Sequence, residues 1–185
     1  MRLKEIVDRW NTGTCVTITE SILVPEISSA LKDWKINTIA IKDKWMLIGG
    51  ILVGYYVRPR TTTDVDVIFM EEDEIPKTVN NFKRTRNHAF QHEHTHVEVE
   101  VLTPEYLKIP KEIVNHAFET SILSDGIRIP SVEGLIALKI CRASFQDLAD
   151  IQNICEQHDI NLIDWPLPQD KLEYVEKQLN LKLVK

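Results

Sequence analysis

The sequence predicts an α/β fold of the α+β kind, a mixed β-sheet flanked by helices, and three observations predict it. Short β-prone runs lie at about 45–49, 65–70 and 96–102; helical spacing fills stretches between and after them; and Asp125-Gly126, between Ile122-Leu123 and Ile127 to Ile129, is a two-residue hairpin signal. The sheet is expected to carry its helices mostly on one face.

In chain order, residues 1–10 and 21–33 read as helices, the second with Ile22, Leu23, Ile27 and Leu31 on a broad apolar face turned to the sheet. Trp45 to Ile48 is an apolar run that ends at Gly49-Gly50 and leads into a helix over 51–57. Val65, Val67, Ile68 and Phe69 make a second strand, and a helix is expected near 76–83. Residues 96–104, HVEVEVLTP, alternate as a strand, with Glu98 and Glu100 on one face and Val97, Val99 and Val101 on the other. Ser131 caps a helix running to about 142, another runs from Phe145 to about Gln157, and Leu172, Val175 and Leu179 mark a last amphipathic helix. The expectation is a single domain over 1–185: a helical N-terminal extension at 1–40, a core sheet at 41–130 and C-terminal helices at 131–185. No repeat, low-complexity tract or flexible linker is visible.

Bulk properties exclude some classes of function. A net charge of −6 argues against a protein that coats nucleic acid nonspecifically, since that binding comes from Lys and Arg neutralising phosphates. A local patch from Arg58, Arg60, Lys83, Arg84 and Arg86 stays open, with solvated surface the default for 83–86. The longest apolar stretch, Trp45 to Val57, is shorter than the ~20 residues that span a bilayer, and MRLKEIVDRW lacks a signal-peptide core. No membrane association and a cytoplasmic location are expected. Cys15, Cys141 and Cys155 match no zinc or redox spacing and read as small buried hydrophobes.

The chemistry concentrates in residues 49–66, GGILVGYYVRPRTTTDVD. Glycines at a strand end let the backbone approach a ligand closely, and the free N–H groups that open the next helix suit phosphate oxygens. Asp64 and Asp66 alternate onto one strand face about 6.5–7 Å apart, where their repulsion favours a cation between them. Magnesium or manganese, held by carboxylate and phosphate oxygens, suits that pair. A two-metal site uses a further acid, for which Glu100 is the first choice and Glu98 the reserve. Arg60 and Thr62 are either plain loop residues or triphosphate ligands. His92, His94 and His96 alternate toward the face of the two glutamates, but no fourth ligand has zinc spacing, and an exposed hairpin arm has the same pattern.

The order Gly49-Gly50, Arg60-x-Thr62-x-Asp64-x-Asp66 resembles the minimal nucleotidyltransferase superfamily, particularly the group containing toxins of abortive-infection toxin/antitoxin systems. Residues 87–107 are similar to the segment in which such proteins carry their third acid, which aligns with Glu100 before Val101, Leu102, Thr103 and Pro104. Residues 129–151 resemble the family's late helix pair, and Lys139, Asp147 and Asp150 take its lysine and acidic positions. The resemblance covers about 45–155. It departs from the family at Leu52 and Val57, where smaller residues are usual, and at Glu100, where the family has Asp.

The resemblance implies a nucleotidyltransferase fold and transfer of a nucleoside monophosphate from an NTP, such as ATP, to an acceptor hydroxyl. The acceptor would be RNA, protein or a small hydroxylated molecule such as an antibiotic, and an antitoxin protein would be a partner. Asp64, Asp66 and Glu100 would be the catalytic and metal residues. Gly49, Gly50, Arg60, Thr62 and Lys139 would hold the triphosphate, Lys139 being otherwise a lysine on a polar stripe. Asp147 and Asp150 either join the site or dress the first turn of their helix. The rival expectation is a binding module that keeps the fold with a weakened metal site.

Overall fold

The computed structural model describes residues 18, 22, 24–57 and 62–184; the expected helix at 1–10 and residues Cys15, Leu23, Arg58 and Arg60 lie outside the described residues. The chain divides into two compact units, one comprising Met1–Thr103 and Leu123–Ile129, the other Pro104–Ile122 and Pro130–Lys185.

In the first unit, helix α1 is Pro25–Asn37 rather than 21–33. Pro25 is the cause: it is tolerated at the first helical position and drives the residue before it out of the helical region, and Val24 is extended at φ −97°, ψ 113°. Ile27, Ala30, Leu31 and Trp34 are its buried face. Five strands follow, β1 (Trp45–Ile48), β2 (Asp64–Phe69), β3 (Phe82–Arg86), β4 (Ala89–His92) and β5 (Glu98–Leu102), with helix α2 (Gly50–Tyr56) after β1. The sheet order is β1-β2-β5-β4-β3. β2 and β5 are parallel and every other pair in this sheet is antiparallel, so the sheet is mixed, as the sequence indicates.

The helix expected near 76–83 is absent. Asn81 adopts a left-handed φ of 65°, Val79 bridges to Phe82, and the chain enters β3 instead. Asparagine tolerates that conformation, and it ends any helical path. The gain is burial: Phe82 packs edge-on against Trp34 at 5.4 Å, and the Trp34 ring also meets Phe90 at 5.5 Å and Trp45 at 6.5 Å. Trp34, Trp45 and Phe90 are at most 2% exposed, and together they form the aromatic core on one face of the sheet.

The histidine run also differs from its expected alternation. His92 is fully buried on that aromatic face, its ring between Thr95 Oγ1 at 2.7 Å and Asp33 Oδ2 at 3.0 Å. His96 has a φ of 60°, which breaks the period of two: the chain turns after His92, the last residue of β4, and the three histidines do not form one row. The hairpin signal at 125–126 holds: β6 (Ile122–Ser124) and β7 (Ile127–Ile129) flank Asp125 and Gly126 at φ 53° and 69°, the left-handed pair a type I′ turn requires.

The second unit is helical, with α3 (Pro104–Leu107), α4 (Lys111–Glu119), α5 (Val132–Arg142), α6 (Phe145–Cys155) and α7 (Gln169–Leu179). α3 and α4 thus belong to this second unit, with the helices that follow Pro130. Ser131 caps α5 as expected, its Oγ accepting from Gly134 N–H at 3.1 Å. Cys141 is buried, and desolvation pushes its thiol up to about 11, too weakly acidic to supply a thiolate at neutral pH. Among the described residues no helix is long and apolar enough to cross a membrane.

Candidate functional site

The parallel pairing of β2 with β5 sets the site of the first unit. Its register places Asp64 opposite Glu98 and Asp66 opposite Glu100. Because side chains alternate along each strand, all four carboxylates share the face turned away from Trp34, while Val65, Val67, Val99 and Val101 fill the buried one. Each acid is half-buried. At the ~5 Å spacing of neighbouring strands, adjacent carboxylates repel by a few kcal/mol, and such an array needs positive charge.

Gly49 closes one end. It caps α2 at φ 79°, ψ −151°, and a Cβ built there would lie 1.8 Å from Asp66 Oδ2. The Asp66 carboxylate therefore rests directly on the Gly49 backbone, and only glycine fits both the dihedral and the contact. Gly50 opens α2, and Thr62 donates its hydroxyl to Asp64 Oδ1 at 3.0 Å. Arg60 lies outside the described residues.

Positive charge comes from a residue that sequence reasoning left on the solvated surface. The Arg86 guanidinium pairs with Glu98 Oε1 and lies 3.7 Å from Glu100 Oε1. It reaches them along one transverse row of the sheet, Arg86, Ala89, Glu100 and Asp66, in which Ala89 is too small to obstruct it. A register shift between Arg84 and Arg86 makes Thr85 an extra residue, and Lys83 and Arg86, three apart, consequently share a face. Arg84 lies over the Phe90 ring at 5.5 Å on the other side. The five-residue basic patch is thus divided: Lys83 and Arg86 on the carboxylate face, Arg84 off it, and Arg58 and Arg60 outside the described residues. No sequence signal marks that bulge.

Lys139, Asp147 and Asp150 come together in the second unit. Lys139 is 7% exposed, its ammonium 3.2 Å from Asp147 Oδ1 and 2.7 Å from Asp150 Oδ2. Asp147 also completes a capping box by accepting from the Ser144 backbone N–H at 3.2 Å, accepts from the Ser144 hydroxyl at 2.6 Å, and lies 3.4 Å from Arg142 Nε. Gln146 donates to Asp150 Oδ1 at 3.1 Å. The lysine is therefore neither on a polar surface stripe nor a lone cation; it is the centre of a buried ion cluster that ties α5 to α6.

No protein-family model matches the chain, and no curated protein matches it. A crystal structure of JHP933 from Helicobacter pylori is similar over 82% of this chain and 77% of that one, at 19% identity and a TM-score of 0.43.

As donors, the four carboxylates are hard oxygen ligands of the kind magnesium and manganese prefer, and the space that a Cβ at Gly49 would fill is taken by the Asp66 carboxylate. Among the described residues no three acidic, histidine or cysteine side chains converge as a metal cage. Glu98 and Glu100 face Arg86 instead. The donor chemistry thus fits a divalent ion at the aspartate pair, with Glu100 on the same face and 3.7 Å from the Arg86 guanidinium.

Proposed function

We propose that the chain is a magnesium- or manganese-dependent nucleotidyltransferase that moves a nucleoside monophosphate from an NTP to an acceptor hydroxyl, in the manner of the toxin-type members it resembles. The observation that carries this reading is the register that stacks Asp64 and Asp66 beside Glu98 and Glu100 with Gly49 against Asp66. Asp64 and Asp66 would hold the ion, which supplies charge neutralisation between carboxylates and triphosphate. The N–H groups that follow Gly49 would receive phosphate oxygens, and Thr62 keeps Asp64 in place through its hydroxyl. Glu100 would accept the proton of the acceptor hydroxyl as its oxygen bonds to the α-phosphorus and pyrophosphate departs. Positioning and charge do most of such work. Lys139 would hold no phosphate, because Asp147 and Asp150 already use its charge.

One observation favours a second reading, a nucleotidyltransferase-fold binding module for an antitoxin or other protein: the Arg86 pairing satisfies part of the acidic face without a metal. Incubation with magnesium and each α-labelled NTP, first with total RNA and cell protein and then with small hydroxylated acceptors including antibiotics, separates the two. Label transferred by the wild type and not by Asp64→Ala/Asp66→Ala supports transfer and names the acceptor. Absence of label on every acceptor class would sink the enzyme reading.

A further inference from the structure

Arg86 occupies an unusual place for a surface cation. It stands at the outer edge of the sheet, on β3, yet its charge is delivered two strands inward. Three features of the chain cooperate to do that. The extra residue at Thr85, fastened by its hydroxyl to the Ala89 carbonyl at 3.3 Å, turns Arg86 onto the carboxylate face. Ala89, the residue between Arg86 and Glu100 in their row, presents only a methyl group. Glu98 and Glu100, two apart on β5, meet the same guanidinium. A surface ion pair formed for stability alone would need none of this, since exposed pairs contribute little.

Resting on the nucleotidyltransferase reading, we infer that Arg86 is a positioning residue with two partners. It holds Glu98 and Glu100 in the conformation described, and it turns to a phosphate oxygen of the nucleotide when a divalent ion engages the carboxylates. The chemistry permits the exchange. The Arg86 side chain is 61% exposed and those of the glutamates 36%, so leaving them is cheap. A guanidinium is always charged, and its planar fork matches phosphate as well as carboxylate. A cation that neutralises the acidic face in one state and binds the triphosphate in the other would couple metal entry to nucleotide binding.

The coupling gives Arg86→Ala effects of opposite sign. Manganese binding to the purified full chain, followed by calorimetry and by loss of the free-ion electron-spin signal, should tighten about two- to fivefold, the scale of an exposed ion pair removed. Binding of a non-hydrolysable NTP at saturating manganese should weaken about tenfold, the scale of a lost charge-assisted contact. Arg86→Lys should restore much of the nucleotide affinity. Lys83→Ala removes the same charge from the same face and should leave manganese affinity near wild type. Equal shifts in Arg86→Ala and Lys83→Ala, or unchanged manganese and nucleotide affinities in Arg86→Ala, would overturn the inference while leaving the enzyme reading standing. Absence of manganese binding in the wild type itself would overturn both.

Discussion

Gly49 shows what a single residue decides here. Its φ of 79° is open to glycine, and Asp66 Oδ2 lies where its Cβ would be. Gly49→Ala should therefore cost about 1–3 kcal/mol for the strained backbone, and more for the displaced carboxylate. Gly50 starts a helix, where Ala is the better residue, and Gly50→Ala should be neutral or slightly stabilising. Urea unfolding of the two variants checks this, and equal stabilities would refute the contact with Asp66. The need for glycine at position 49 was legible in the sequence as a pair at a strand end. The identity of what it touches was not, because Asp66 is seventeen positions away and only strand pairing brings it there.

At the scale of elements, the join between α5 and α6 is held by charge inside the second unit. Removing one member of a buried ion cluster strands the others, at about 3–5 kcal/mol. Lys139→Met should fall at the lower end, since Asp147 keeps Ser144 and Arg142 and Asp150 keeps Gln146. Thermal unfolding measures it; a loss below about 1 kcal/mol would place the lysine among exposed pairs instead. Sequence patterning found both helices, the Ser131 cap and the acidic first turn of α6, which are local properties. It could not find the ion cluster, because Lys139 and Asp150 face each other only after the chain turns at Ala143, whose φ is 49°. The same limit explains the misplaced helix at 76–83: Phe82 is drawn into a strand by Trp34, forty-eight positions earlier, and no local propensity records that contact.

At the scale of the molecule, each unit is assembled from separated segments of chain. The second unit needs α4, whose Ile113, Val114 and Ala117 are buried and which packs on α5. A fragment of residues 130–185 lacks that face and should unfold without a cooperative transition, whereas the full chain should show one. Calorimetry of the two decides it; a sharp transition in the fragment would mean that α5, α6 and α7 suffice.

What the sequence determined by itself is whatever depends on neighbours along the chain: the strand alternation that puts Asp64 with Asp66 and Glu98 with Glu100, the Asp125-Gly126 turn, the Ser131 cap and the glycine at 49. The α+β class followed from those periods. Only the tertiary structure decided the parallel register that sets the two acid pairs side by side, the bulge that carries Arg86 to them, the burial of His92, and the division into two units. Those depend on contacts between distant residues, where burial of Trp34 and its partners outweighs local preference, and a linear pattern does not contain that balance.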